Sequence, residues 1–171
     1  MTPGEEPEHR LVDITLLDIP VTLWARTDDE LKDLRREFAL IVLSRENHVP
    51  DVPSQLMHLI DELQASYGAF GNSQAERFER ARTEDDPVID RLEWRLPHDS
   101  EDDIKRLATA LDEADEYCRQ GQHLLTLTSS PATKAFRDWF LDEFCVQLRG
   151  GPPTPWPLSP YAAIAREAVT E

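Results

Sequence analysis

Apolar side chains recur three or four positions apart along most of this chain, the spacing that places them on one face of an α-helix. The first such stripe begins beside Pro20 and continues to Val42. Its helix starts either with Pro20 in the first turn or at a capping box formed by Thr27 and Glu30. Because the stripe keeps its phase across Thr27, we favour the earlier start, with a weak point at that residue.

Further stripes predict helices that begin at residues favoured for capping a helix N-terminus, namely Asp51, Ser73, Ser100 and Ser130. The last of these is followed by a proline, which suits the first helical turn. Its stripe covers a wide arc, as is typical of a helix that packs on more than one side. A shorter helix is predicted after Ser159.

Two short segments carry strand patterns instead. Residues 11–19 are rich in β-branched and aliphatic side chains. Within the segment 90–96, residues 92–96 alternate apolar with charged side chains, as a half-buried strand does. We therefore predict a mainly α fold, a helical bundle of about four main helices with a short antiparallel β-pair formed by these two segments. An α+β fold with a third strand at 124–128 is the alternative.

The distribution of polar and proline residues divides the chain into three regions. Residues 1–10 are polar and are predicted to form a disordered N-terminus, while residues 11–151 form the helical domain. Residues 152–171 form a proline-rich tail that ends in the short terminal helix. Five prolines between 152 and 160 favour an extended polyproline II conformation, since proline fixes φ and lacks an N–H donor.

The charge of the chain narrows the choice of partners. Its 18 lysines and arginines face 34 aspartates and glutamates, which gives a formal net charge of −16. Such an acidic protein repels phosphate backbones and anionic lipid, so neither nucleic acid nor a membrane surface is an expected partner. The first residues lack the basic and apolar stretches of a signal peptide, and we therefore expect a cytoplasmic protein.

Catalytic motifs are missing from the sequence. It contains no glycine-rich phosphate loop, no Gly-x-Ser-x-Gly elbow and no His-Glu-x-x-His zinc motif. Its two cysteines, Cys118 and Cys145, fall on or near apolar stripes, and we interpret them as buried thiols in a reducing cytosol. We expect neither enzymatic activity nor a cofactor or metal.

Acidic side chains cluster near the end of one predicted helix. Asp112 can lie beside Asp115 and Glu116 on one helical face, as paired carboxylates in metal or acid–base sites do, although a solvated face is the plainer interpretation. Asp115 also falls on the apolar stripe, where a carboxylate needs a partner. Arg137 in the next helix, or a backbone amide in the predicted third strand, would supply one and make Asp115 a structural pin.

Four aromatic residues, Trp94, Tyr117, Trp139 and Phe140, have two interpretations. They form either ordinary core or the wall of an apolar pocket for a small ligand. Helical and strand spacing favours the core for each of them, because aromatic stripes at such spacing are usually buried.

The segment Pro155-Trp156-Pro157 is either a docking peptide for another protein or part of a tail that folds back. In the second case Trp156 packs near Phe140 or Phe144 of the preceding helix. Its burial there removes roughly 150–250 Å² of aromatic surface from water. Both alternatives follow from the same local sequence.

Five segments read LDIPVTLW from Leu17, REFALI from Arg36, DEADEYC from Asp112, LLTL from Leu124 and PPTPWP from Pro152. Together they resemble a family of actinobacterial proteins without an assigned activity, which are encoded beside STAS-type anti-sigma antagonists and anti-sigma kinases. The resemblance spans most of residues 11–157. It implies no catalytic residue, because these strings mark the family without carrying chemistry.

We therefore expect a non-enzymatic regulatory or adaptor protein that acts through protein–protein binding in an anti-sigma partner-switching circuit. Its expected partner is a STAS protein or an anti-sigma kinase, and a homodimer is a further assembly to consider. A small-ligand sensor is the alternative function. A metal enzyme that uses Asp112, Asp115 and Glu116 is less favoured, since no other ligand spacing accompanies them.

Overall fold

A computed structural model describes residues 10–44, 51–68, 72–121 and 128–168. In chain order, their elements are β1 (Leu11–Pro20), α1 (Val21–Ser44), α2 (Val52–Tyr67), α3 (Asn72–Thr83), β2 (Val88–Pro97), α4 (Glu101–Gln120), α5 (Pro131–Leu148), a 3₁₀ turn (Trp156–Leu158) and α6 (Pro160–Ala168). The predicted mainly helical fold with an antiparallel β-pair is confirmed. The described part has six α-helices rather than about four, with α1, α2, α4 and α5 the longest. The alternative third strand was predicted at 124–128, and residues 124–127 of it lie outside the described residues.

Two of the predicted N-cap residues, Asp51 and Ser130, cap a helix with their side chains. The Asp51 side chain accepts a hydrogen bond from the Ser54 amide at 3.1 Å, and Ser130 Oγ accepts one from the Thr133 amide at 3.2 Å. Each satisfies a backbone donor that the first helical turn leaves free. Ser100 differs, because its hydroxyl donates to the Pro97 carbonyl at 2.7 Å and makes no cap bond.

The first helix begins at Val21, immediately after β1, so the early start is confirmed, although Pro20 remains the last residue of the strand. Thr27 lies inside α1, where its hydroxyl donates to the Leu23 carbonyl at 2.9 Å. A threonine that bonds back to the preceding turn is compatible with a continuous helix. Glu30 is consequently not a capping residue and is free for a tertiary contact.

Strands β1 and β2 pair antiparallel, from Leu11 opposite Pro97 to Pro20 opposite Val88. One face is buried, and Ile14 and Leu16 follow the two-residue alternation of a strand. Ile19 is also buried but comes three residues later. Asp18 between them has φ 54°, a left-handed conformation that aspartate tolerates better than most residues, and this interrupts the alternation.

The core consists of two hydrophobic clusters. The first lies between the sheet, α3, α5 and the C-terminal segment, and its buried members include Ile14, Leu16, Leu92, Phe136, Trp139 and Trp156. The second lies between α1, α2 and α4 and is built on Leu34, Phe38, Leu56 and Leu111. Helix α5 contacts β1, α1, α4 and α6, as its wide apolar arc predicts.

Two buried polar side chains of α5 tie β1 to the C-terminal segment. Gln147 Oε1 accepts from the Thr15 amide and its Nε2 donates to the Thr15 carbonyl, both at 2.8 Å, as a neighbouring strand would. Glu143 Oε2 accepts from Gln147 Nε2 and from the Thr154 amide, both at 3.0 Å. Burial raises the pKa of Glu143 above its ordinary value, with these bonds acting in the opposite direction.

The C-terminal segment folds back onto the domain. Trp156 is 8% exposed, and its ring meets those of Phe136 and Trp139 edge to face at centroid distances of 5.5 and 5.4 Å. The sequence predicted Phe140 or Phe144 as its neighbours; Phe136 is one helical turn before Phe140, and Trp139 directly precedes Phe140. The prediction of an extended, largely polyproline II tail is wrong at residues 156–158, which form a 3₁₀ turn because the Pro155 and Trp156 carbonyls accept hydrogen bonds from Leu158 and Ser159.

Pro155 is partly buried and Pro157 is exposed, so the central residue of the proposed docking peptide lies in the core while its flanks reach the surface. Among the described helices, none is long and apolar enough to cross a membrane.

Replacing Trp156 with alanine should lower the free energy of unfolding by about 3 kcal/mol, because it leaves a cavity beside two aromatic rings. Leu158→Ala is the matched control, since Leu158 is in the same 3₁₀ turn but is 78% exposed. It should change stability by less than about 0.5 kcal/mol. Urea unfolding measures both. Equal stabilities of the two variants would contradict the packing and leave the segment available as a docking peptide.

Candidate functional site

A cavity of about 230 Å³ lies between α1, α4 and α5, where the two hydrophobic clusters meet. Its apolar wall is formed by Trp24, Leu31, Leu34, Leu107, Leu111, Phe136, Phe140 and Leu141. A smaller set of polar side chains completes it, among them Glu30, Thr133 and Arg137. An apolar cavity with few convergent polar groups is the usual form of a small-molecule site.

Two aromatic side chains of the wall are held by rings outside the cavity. Trp24 stacks on Phe78 of α3 with ring centroids 4.0 Å apart and an interplanar angle of 5°. Phe140 packs edge to face on Trp94 of β2 at 5.6 Å. Because such pairs favour fixed ring geometries, they hold these side chains in place without filling the space between the helices.

Glu30 projects from α1 and is half-buried at the cavity. Its Oε2 accepts a hydrogen bond from Thr133 Oγ1 at 2.8 Å, which joins α1 to the first turn of α5. Burial raises the pKa of Glu30, the Thr133 hydroxyl opposes that shift, and the nearby Asp115 carboxylate adds to it. Within the described residues, no lysine, arginine or histidine nitrogen lies within 4.0 Å of this carboxylate.

Arg137 joins α5 to α4 at the same cavity. Its Nη2 donates to Asp115 Oδ2 and Asp112 Oδ1, each at 2.9 Å, and Asp115 Oδ1 also accepts from the Ser129 amide at 3.3 Å. The sequence placed Asp115 and Arg137 together as a structural pin, and the structure brings them into contact. The backbone amide is one residue beyond the predicted 124–128 segment.

The pair is largely removed from solvent, since the side chains of Arg137 and Asp115 are 11% and 5% exposed. Arg137 Nε is buried and has no hydrogen-bond partner among the described residues, and Asp138 Oδ1 is 3.8 Å from it. A buried guanidinium with an unsatisfied donor is costly unless its ion pair is maintained. The spacing of α4 and α5 is therefore fixed at this point.

The acidic cluster of α4 is divided among ion pairs. Asp112 contacts Lys134 Nζ at 2.9 Å in addition to Arg137, and Glu116 pairs with Arg119 one turn along the helix. Over the described ranges, no group of three or more His, Cys, Asp or Glu side chains is arranged to hold a metal ion.

Both cysteines are free and buried. Burial raises the pKa of the Cys118 thiol to about 11, and burial likewise raises the pKa of Cys145. A thiol is a poor nucleophile and metal ligand until it loses its proton, so neither side chain is poised for covalent chemistry at neutral pH.

The aromatic residues predicted to line a pocket are mostly elsewhere. Of the four, only Phe140 reaches this cavity, while Trp139 is in the first cluster and Tyr117 packs edge to face on Phe38 at 5.6 Å. Trp94 supports Phe140 from outside. The sequence reasoning missed Trp24 and Phe136 as wall residues, because it treated both simply as core.

Glu30 was also missed, because the local pattern made it a capping-box residue. A usable signal was present: Glu30 is three residues after Thr27 and four before Leu34, and all three line the cavity. Residues at these spacings share one helical face. A carboxylate on the apolar face of a helix needs a tertiary partner, as the same reasoning recognised for Asp115.

A larger groove of about 620 Å³ lies between α2 and α4, and its two arginine and lysine side chains, Arg106 and Lys105, are in ion pairs. Arg106 contacts Glu62 at 3.1 Å and Asp103 at 2.9 Å across this surface. Such exposed pairs fit a solvated helix–helix surface better than a site that must select a ligand.

The chain matches no protein-family model, no curated protein and no solved structure.

Asp115→Asn should destabilise the fold by about 3 kcal/mol, because it leaves a buried guanidinium without its buried counter-charge. Asp112→Asn is the matched control, since Asp112 bonds the same Arg137 nitrogen but its side chain is 55% exposed. It should cost at most about 1 kcal/mol. Chemical denaturation of both variants measures the difference. Equal losses would contradict the assignment of Asp115 as the partner that fixes Arg137.

Proposed function

We propose that this chain is a non-enzymatic regulatory protein that binds a small, largely apolar ligand in the α1–α4–α5 cavity. The cavity itself is the observation that supports this function most strongly. It is a partly open space of about 230 Å³ with a largely apolar wall and a few polar groups, the usual form of a small-molecule site.

The volume limits the size of the ligand. An apolar cavity of about 150 Å³ is sufficient to take up benzene. A space of about 230 Å³ therefore accommodates one aromatic ring with a short substituent. Thr133 and Glu30 at the wall provide the polar contacts that orient a ligand of this size.

The position of the cavity supports a regulatory role. Leu34 and Leu111 of its wall belong to the second cluster, whereas Phe136 belongs to the first. A bound molecule would contact both clusters and favour the arrangement of α1, α4 and α5 that fits it best. Differential contact with two arrangements is what allows a ligand to shift a conformational equilibrium.

The partner in this proposal is a protein, with a STAS protein or an anti-sigma kinase suggested by the family resemblance. Two apolar side chains of the C-terminal segment support such binding, since Leu158 and Ile164 are 78% and 51% exposed. Trp156 is buried, whereas Pro157 and Leu158, which follow it, are exposed, so a partner would contact these two residues. The acidic surface would favour a partner with a basic face.

Toluene tests the cavity directly, because it is neutral and fits the volume. At ten times its Kd it would stabilise the fold by about 1.4 kcal/mol, since it binds the folded state alone. For a chain of this size that raises Tm by about 4 °C. Leu31→Trp places a larger side chain on the cavity wall and should abolish the rise.

Leu40→Trp is the matched control for that experiment. Leu40 is on the same helix, is 56% exposed and does not line the cavity, so toluene should stabilise this variant as it does the wild type. An unchanged Tm of wild-type protein at saturating toluene would contradict the proposed function. An equal rise in both tryptophan variants would place the ligand elsewhere.

A further inference from the structure

We propose that the ligand of this cavity is a small amphipathic cation, an amine carried on a body of about one aromatic ring, and that its ammonium group pairs with Glu30. This inference rests on the proposed function and specifies the chemical class of the ligand. It assigns Glu30 as the residue that selects for positive charge.

The first support is that some carboxylates around the cavity have a cationic partner within ion-pair distance and Glu30 does not. Asp28 contacts Lys32 Nζ at 2.5 Å, and Asp115 has Arg137. Among the described residues, the groups that hydrogen-bond Glu30 are neutral, namely the Thr133 hydroxyl at 2.8 Å and the Ser130 backbone, while Arg137 attracts it from beyond ion-pair distance. These groups orient the carboxylate at the start of α5 without supplying a full positive charge.

The second support is the surroundings of Glu30, which are apolar. Leu31, Leu34 and Trp24 from the same helix and Phe136 from α5 line the space that it borders. A carboxylate next to such a wall is poorly solvated, and a cation that enters with its own apolar body restores the missing counter-charge. An ammonium–carboxylate pair out of water is stronger than an exposed one.

The third support is the charge of every element that faces the cavity. Asp28 and Glu30 of α1 and Arg137 of α5 line the cavity, and Asp112 and Asp115 of α4 pair with Arg137. Lys32 and Lys134 are not part of its wall and pair with Asp28 and Asp112. Carboxylates outnumber cations in this set, and Arg137 is shared by two of them. An anionic ligand would add to the repulsion, whereas a cation relieves it. The net charge of −16 also attracts cations from a distance.

Three probes of similar shape separate charge from size: 2-phenylethylamine, 2-phenylethanol and 3-phenylpropanoate. Isothermal titration calorimetry of the full chain at neutral pH should give an amine affinity at least about 10-fold above that of the alcohol. The carboxylate should bind at least about 10-fold more weakly than the alcohol. In Glu30→Gln, the amine should lose its advantage while the alcohol changes by no more than about twofold.

Glu37→Gln is the matched control, because Glu37 is a half-buried residue of the same helix that does not line the cavity. It should keep the wild-type preference for the amine. Retained alcohol binding in Glu30→Gln shows that this variant is folded and its cavity intact. Equal binding of amine and alcohol by the wild type would overturn the inference but leave the proposed function standing. Failure of all three probes and of toluene would overturn the proposed function itself.

Discussion

The ion pair between Arg137 and Asp115 is the contact on which the placement of α4, α5 and their cavity depends. Two charges taken out of water must remain together, because separating them costs several kcal/mol per ion. The long arginine side chain therefore sets the distance between the helices instead of allowing Leu111 and Leu141 to close the gap. The Ser129 amide on Asp115 fixes the start of α5 with the same interaction.

Helix α5 is the structural centre, and polar side chains decide its contacts on two further sides. Gln147 makes two hydrogen bonds with the backbone of Thr15 in β1. Glu143 accepts hydrogen bonds from the Gln147 side chain and from the Thr154 amide of the C-terminal segment. Apolar packing is tolerant of small shifts, whereas hydrogen bonds in a buried site require defined distances. These contacts therefore set the orientation of α5, and with it the position of Thr133 beside Glu30.

Features of the fold that depend on neighbouring residues in the chain could be predicted from the sequence. The caps at Asp51 and Ser130, and the alternation in residues 92–96, depend on residues within one turn or one strand. The Asp115–Arg137 contact was readable for a different reason, since a carboxylate on an apolar stripe requires a cation and the next helix offers one.

Most other features that depend on tertiary structure could not be predicted from the sequence. Ser100 resembles an N-cap, but the Pro97 carbonyl is close enough to take its hydroxyl. Trp156 was expected to pack on α5, but the rings that it contacts depend on the position along the helix axis at which the C-terminal segment crosses α5. The cavity has no local signature at all, because it is the space that remains when two clusters pack on opposite sides of one ion pair.

The most direct measurement is the titration of the Glu30 carboxyl carbon by NMR in ¹³C-labelled protein, with Glu30→Gln used to assign the signal. Burial, which outweighs the opposing Thr133 hydrogen bond and the attraction of the more distant Arg137, predicts a pKa above the ordinary 4.5 in the free protein. Saturation with 2-phenylethylamine should lower that pKa, since a cation favours the ionised form. A pKa at the ordinary value that the amine leaves unchanged would contradict the assignment of Glu30 as an uncompensated carboxylate in a cation-binding cavity.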